Sequence, residues 1–227
     1  MANRPYYYVD NNDQVQTGTV DFKWYPGFSI QQKQKSITSL HQSIKSLGIS
    51  SVLEVSSKSC SPLGVSLSAF NLNLTIPGTT INCTVESAFQ GSKVFHRGGP
   101  FNDLFAKDSR TARADIHDRD LGQLIGFDFG QGVFPVTPTT AFYDWLYLNA
   151  VLQNRNLFNS VVNYCAFTDI EFNPNKSFNC QAFSVAYAVS IFKSRSLKPA
   201  ISFDKVCNSY PRKDDSSQKI LVQNELF

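Results

Sequence analysis

The period of the hydrophobic positions changes repeatedly along this chain, and each change marks an element. Val20-Asp21-Phe22-Lys23-Trp24-Tyr25 alternates apolar with polar residues, as a half-buried strand does, and Pro26-Gly27 closes it. The rest of residues 1–30 is aromatic and turn-rich. From Ser36 to Leu47 the rhythm becomes helical, because Ile37, Leu40, Ile44 and Leu47 recur on one face and Gly48 is a fitting stop. Ser51 to Val55 predicts a strand, and Ser66 to Leu74 a second strand-like run that leads to Pro77-Gly78.

Thr84 to Phe95 predicts a helix. Thr84 is a suitable N-cap, and Glu86 in the first turn suits the positive end of the helix dipole. Val85, Ala88, Phe89 and Ser92 form one small apolar face, while Glu86, Gln90 and Lys93 share the neighbouring one. Taken by spacing alone, that second face is ordinary wet surface. Downstream, Asp103 to Asp120 is charged but nearly balanced, as in a solvated helix or loop. Ala141 to Gln153 predicts a helix carrying Phe142, Trp145, Leu146 and Leu152 inward. Val161 to Ile170 reads as a strand, and Ala182 to Phe192, capped by Asn179, as a buried helix. Helices outnumber strands, so the expected fold class is α+β, a mainly helical domain around a small sheet. Residues 1–207 are expected to form one domain with an N-terminal strand and helix extension, and 208–227 a polar tail.

Composition narrows the classes. The 227 residues are 42% hydrophobic and 13% aromatic, with nineteen Phe, which suits a chain able to bury a real core. Net charge is +3, from 21 basic and 18 acidic residues, too mild to indicate nucleic acid unaided. The five cysteines are scattered and form no C-x-x-C, so neither a disulfide framework nor a zinc site is indicated, and a reducing cytoplasm fits best. No run reaches the ~18 apolar residues a membrane helix needs. Gly126 to Gly132 is glycine-rich but lacks the spacing and context of a dinucleotide fingerprint.

Several ordered words carry a resemblance. Leu67-Ser68-Ala69-Phe70, then Glu86, Gln90 and Lys93, resemble the signature of the NADAR family. Phe22 to Ser29, Gln32 to Ser36, Ser56-Ser57-Lys58-Ser59, Phe167 to Pro174 and Asn179 to Ala182 are similar to its branch of antitoxins partnered with the toxin DarT. The resemblance covers about residues 20–200 and implies the same α+β fold. It also implies removal of ADP-ribose from the amino group of guanine in DNA. A related branch acts on phosphoribosylamino intermediates of riboflavin synthesis. A non-enzymatic module that binds ADP-ribose or masks the toxin is the third alternative.

The residues fit this chemistry. A lysine whose amine is neutral can replace an amine at a sugar anomeric carbon, forming a Schiff base that water cleaves. Lys93 is the candidate nucleophile, with Arg97 as a charge neighbour, and Glu86 the candidate acid and base. The alternative is direct water activation by Glu86, or by Asp169 with Glu171. Ser57, Lys58, Ser66, Ser68 and Phe70, with Gln90, Arg97, Gly98 and Gly99, are the substrate contacts expected around ADP-ribose. Asp169, Glu171 and Asn173 would meet ribose or the guanine edge, and Tyr143 or Trp145 would stack on a base unless both belong to the core. No cofactor and no metal are expected. The expected partners are ADP-ribosylated DNA and a cognate DarT-type toxin.

Overall fold

The computed structural model describes residues 1–76, 78–117, 119–130, 132–175, 177–193 and 201–209. In chain order the elements are β1 (Ala2–Val9), β2 (Val15–Phe22), α1 (Ile30–Lys45), β3 (Val52–Glu54), α2 (Pro62–Ser66), β4 (Asn73–Thr75) and β5 (Asn82–Thr84). There follow α3 (Val85–Gly91), β6 (Lys93–Phe95), a 3-10 helix (Asn102–Ala106), α4 (Ser109–His117), β7 (Leu124–Phe129) and β8 (Gly132–Phe134). The last are α5 (Ala141–Gln153), α6 (Arg155–Val161), β9 (Ala166–Thr168), α7 (Gln181–Lys193) and α8 (Phe203–Ser209). The class is α+β, and the strands divide among three small sheets. The expected tail lies outside the described residues from 210 onward; its first two residues finish α8.

The chain forms two compact units, both discontinuous in sequence. The first comprises, of the described residues, 1–68, 154–173 and 180–193. Its sheet runs β2-β1-β9-β3, with β1 antiparallel to both β2 and β9, and β9 parallel to β3. The β1–β2 hairpin was hidden in the sequence by its aromatic, unpatterned text. Its turn is stabilised by Asp10, whose Oδ1 accepts from the N–H groups of Asn12 and Gln14, both at 2.9 Å. Successive side chains of a strand point to opposite faces. Tyr6 therefore joins Ile37, Leu40 and Ile44 of α1 in the core, while Tyr7 meets Phe183 of α7 edge-on at 5.6 Å. One helix covers each face of the sheet, and all three residues of β9 are buried.

Two expected strands are corrected here. Ser66 to Leu74 is not extended: Pro62 opens the short helix α2, and only Asn73–Thr75 is strand. Gly64 explains the close docking of that helix, since a Cβ there would lie 1.9 Å from the Glu54 carbonyl oxygen. The run from Val161 to Ile170 begins as the end of α6, where Phe158 and Val161 are buried at helical spacing. It is extended only at Ala166–Thr168.

The second unit comprises, of the described residues, those within 69–153 and 174–179 together with 201–209. Its centre is an aromatic cluster: Phe127 stacks on Phe142 at 4.3 Å, Phe89 lies 5.5 Å from Phe127, and Phe134 lies 4.8 Å from Trp145. Helix α3 and the sheet β6-β7-β8 pack on that cluster. The charged stretch is the 3-10 helix and α4, tied by Lys107 to Asp103 and Asp115 at 3.0 and 2.7 Å.

The first unit buries two carboxyl groups beside its sheet, Glu54 and Asp169. Ser56 Oγ, Thr168 Oγ1 and the Ile170 N–H donate to Glu54 at 2.6, 2.7 and 2.8 Å. Burial and the neighbouring Asp169 still raise its pKa from 4.5 to about 8. Burial likewise raises Asp169 to about 7. A folded state that holds these protons more tightly than the unfolded chain is favoured at low pH. The Glu54 contribution is whole below its unfolded value of 4.5 and is lost as pH rises to about 8, and that of Asp169 is lost between 3.8 and about 7. Urea midpoints measured across this window should fall for the natural chain and fall less steeply for Glu54→Gln. Parallel slopes would show that Glu54 is ionised throughout.

Candidate active site

Helix α3 positions the centre of the second unit. Thr84 Oγ1 accepts from the Ser87 N–H at 3.1 Å, the expected cap. All seven residues of the helix are buried, including the Glu86–Gln90 face that spacing alone had made wet surface. A buried polar face must supply its own partners. Gln90 Nε2 donates to Glu86 Oε1 at 2.9 Å, one helical turn away. That bond fixes the amide orientation and leaves Gln90 Oε1 buried with no hydrogen-bond partner.

The helix is shorter than expected. It ends at Gly91, where a Cβ would lie 2.6 Å from the Phe105 ring, and Ser92 returns its hydroxyl to the Ala88 carbonyl at 2.6 Å. Lys93 is therefore the first residue of strand β6, in register with Phe127 of β7, rather than a third member of the helix face. The chemistry still converges, because the turn directs Lys93 inward. The side chain is 1% exposed, and Nζ lies 4.9 Å from the centre of the Phe89 ring.

Burial lowers the Lys93 pKa from 10.5 to about 8. The Glu86 carboxylate opposes this shift, and the Arg113 guanidinium adds to it. The charge neighbour is thus Arg113 of α4, not Arg97, whose guanidinium is half exposed and pairs with Asp120. Gly98 and Gly99 have a backbone role. Gly98 O accepts from the Phe95 N–H at 2.7 Å, and Gly99, at φ 99°, would place a Cβ 2.1 Å from the Lys93 carbonyl oxygen. Only glycine lets the loop fold so tightly against this strand.

The remaining candidates of this unit are in the core or at its edge. Tyr143 meets Phe89 edge-on at 5.4 Å and is buried. Trp145 packs on Phe134 and Phe142, and its indole N–H donates to the Ile201 carbonyl at 2.8 Å. Asn149 joins that clasp, with Ile201 N–H donating to its Oδ1 at 3.2 Å. Phe70 is half-buried and its carbonyl accepts from Ser109 Oγ at 3.0 Å.

The first unit holds the other candidates. Ser57 and Lys58 lie in a turn after β3 that Ser56 organises by accepting from the Lys58 N–H at 3.2 Å. Ser66 ends α2, and Ser68 is buried just beyond it. Asp169 accepts from the N–H groups of Glu171 and Phe172 at 3.1 and 3.2 Å and from Gln181 at the start of α7. Glu171 turns instead to Lys33, at 3.0 Å. The two carboxylates thus have separate partners and do not form a pair. Asn173 is half-buried in the following turn.

Sequence reasoning passed over Glu54, Thr168, His41 and Arg113. His41 Nε2 lies 2.9 Å from Thr168 Oγ1, which bonds onward to Glu54. Burial, then Lys45, lowers the His41 pKa from 6.5 to about 4. A cavity of about 400 Å³ opens here, with His41, Lys45, Glu54, Ser59 and Cys60 in its wall. The available signal was Glu54 itself, a carboxylate between Leu53 and Val55 in an apolar strand.

A dry lysine facing a carboxylate, on an α+β fold, defines a centre suited to amine or proton-transfer chemistry at a polar substrate. The family model described as the DarT1-associated NADAR antitoxin matches residues 2–219. That span is nearly the whole chain, and the chain belongs to this NADAR family of antitoxins associated with DarT1. No match is found among curated proteins. Among the described residues no helix is long and apolar enough to cross a membrane.

The electrostatics set a direct test. With the lysine ¹³Cε resonances assigned, Lys93 should titrate near pH 8, far below an ordinary lysine. Glu86→Gln should lower that midpoint further, and Arg113→Gln should raise it. A Lys93 midpoint above 10 would mean that the side chain is solvated.

Proposed function

We propose that this protein removes ADP-ribose from the exocyclic amine of guanine in DNA and so acts as the antitoxin to a DarT-type toxin. The observation that carries the reading is Lys93, fully buried beside Glu86 with its pKa lowered to about 8. Such an amine is partly neutral near physiological pH, the state a nucleophile requires. Membership of a DarT1-associated antitoxin family supports the substrate class.

The steps follow from the side chains. The C1–O bond of the modified ribose opens: the lone pair of the guanine amine forms an imine at that carbon, and the ring oxygen leaves with the bonding pair and takes the proton that this nitrogen sheds. Neutral Lys93 adds its nitrogen there. Glu86, a carboxylate at the start, takes a proton from the added Lys93 nitrogen and passes it to the guanine nitrogen, whose bond to carbon breaks as the second Lys93 proton follows by the same route, leaving the sugar joined to Lys93 as a Schiff base. Glu86, now a carboxylate, takes a proton from water as it attacks. Collapse returns the Lys93 amine and releases ADP-ribose. Gln90 holds one oxygen of Glu86 throughout, keeping the other for proton transfer, and its own orphaned carbonyl can accept from a substrate N–H or O–H. The phosphoribosylamino branch would share these residues. The DarT1-specific match over residues 2–219 favours DNA.

Labelled guanine-modified oligonucleotide should lose its ADP-ribose in the presence of chelator. Thymine-linked ADP-ribose, joined through a ring nitrogen, should persist. Label retained until divalent metal is added would overturn the metal-free reading. Borohydride present during turnover should leave a ribosyl adduct on Lys93. Lys93→Arg and Glu86→Gln should each slow release by more than about 100-fold, roughly 2.7 kcal/mol of barrier. A Lys93→Arg enzyme near the natural rate would exclude the covalent route and leave Glu86 to activate water directly.

A further inference from the structure

The cavity of about 400 Å³ beside α1 is lined by the first unit alone, whereas Lys93 and Glu86 belong to the second. Ile37, Val52 and Leu53 give it an apolar wall. Val52 packs against the α1 cluster, and Glu54, two residues on, points to the same face of β3. Polar groups complete the lining. Lys45 forms no ion pair among the described residues, and Ser61 opens α2 without capping it through its side chain. The Cys60 thiol stays neutral, because burial and then Glu54 raise its pKa.

One nitrogen of His41 is already committed. Its Nε2 lies 2.9 Å from Thr168 Oγ1, which meets Glu54 Oε2 at 2.7 Å. The ring is neutral, because burial and then Lys45 lower its pKa to about 4. A neutral imidazole has one donor and one acceptor nitrogen, and the bond at one decides the other. The relay therefore transmits the state of Glu54 to the cavity. Ionised Glu54 accepts from Thr168, Thr168 accepts from His41 Nε2–H, and Nδ1 is left an acceptor. A proton on Glu54 settles on Oε2, since Oε1 already accepts from Ser56 and the Ile170 N–H. Glu54 then donates to Thr168, whose hydroxyl turns to His41 Nε2. The ring hydrogen moves to Nδ1 by exchange with water. Burial, with Asp169 nearby, keeps that proton on Glu54 up to about pH 8, while Glu171 beyond Asp169 is paired with Lys33 at 3.0 Å. At neutral pH the wall thus offers a donor at His41 Nδ1 and the Lys45 ammonium, and its one acidic residue is uncharged.

We propose that this cavity binds a small organic carboxylate, its oxygens held by His41 Nδ1–H and Lys45 and its apolar body by Ile37, Val52 and Leu53. One cation matches one negative charge, and a charge-assisted donor pair suits a carboxylate. A phosphate monoester carries about −1.5 to −2 near neutral pH, more than this wall balances. A neutral amide would leave the ammonium unmatched. The site stands apart from the reaction proposed at Lys93 and does not depend on it.

Calorimetric titration of the full chain with benzoate tests it. Benzoate should bind near pH 7, phenyl phosphate more weakly and benzamide not at all. Above about pH 8 the benzoate affinity should fall about 10-fold per pH unit, because the Glu54 proton is required. Glu54→Gln should bind benzoate with no such fall, since its amide N–H can donate to Thr168 at any pH. Lys45→Gln should weaken binding about 10-fold. In the free protein, the ¹⁵N resonances of the His41 ring should report the Nδ1–H tautomer near pH 7 and the Nε2–H tautomer above about pH 8. An Nε2–H tautomer near pH 7 would overturn the proposal. So would benzoate binding no tighter than that of benzamide or phenyl phosphate, or the same pH profile in Glu54→Gln.

Discussion

The burial of one ammonium group organises the second unit. Taking a charge out of water is expensive, and Lys93 has two means of relief: partial neutralisation, and the attraction of Glu86. Both require the surroundings to be close and dry. Close approach is supplied by small residues, with Gly91 against Phe105 and Gly99 against the Lys93 backbone. Dryness is supplied by Phe89 and the rings behind it. The aromatic cluster thus does more than hold the fold, since it sets the proton affinity of the amine that it covers.

The first unit meets a similar constraint with opposite charge. Glu54 sits where β3 pairs with β9, and its three donors are Thr168 at the end of β9, Ile170 just after it, and Ser56 just after β3. Parallel strands have no hairpin to fix their register. Here a carboxyl group links them, at the cost of a proton affinity far from that of an ordinary glutamate. The same residue's carbonyl receives α2 so closely that only glycine fits at position 64. One short strand therefore positions the Ser56–Ser59 turn, the neighbouring helix and the register of the sheet.

Local signals were legible where local interactions decide. The Thr84 cap and the acid after it located the start of α3, and the bounds of α5 were read directly because its apolar run is continuous. The end of α3 was not legible, because the limit is the Phe105 ring, fourteen positions after Gly91 and invisible to periodicity. The hairpin at the N-terminus failed for a related reason. Its strands are half-buried on both sides, so Tyr6, Tyr7 and Tyr8 form no alternation. Arg97 was chosen for nearness in sequence, whereas Arg113 acts through the packing of α4 on α3. Glu54 was readable as an anomaly, an acid amid apolar neighbours, but its proton affinity depends on Asp169, which lies far along the chain.

The clasp between Trp145, Asn149 and Ile201 bears on how the protein comes into being. Translation is vectorial, and α5 leaves the ribosome well before Ile201 does. Until then the indole N–H and the Asn149 amide lack the backbone groups that satisfy them, and Trp145 lacks the ring of Phe203. The aromatic core that dries Lys93 is completed by residues beyond 200. A nascent chain therefore keeps this aromatic cluster open on one side until Ile201 and Phe203 have emerged and packed.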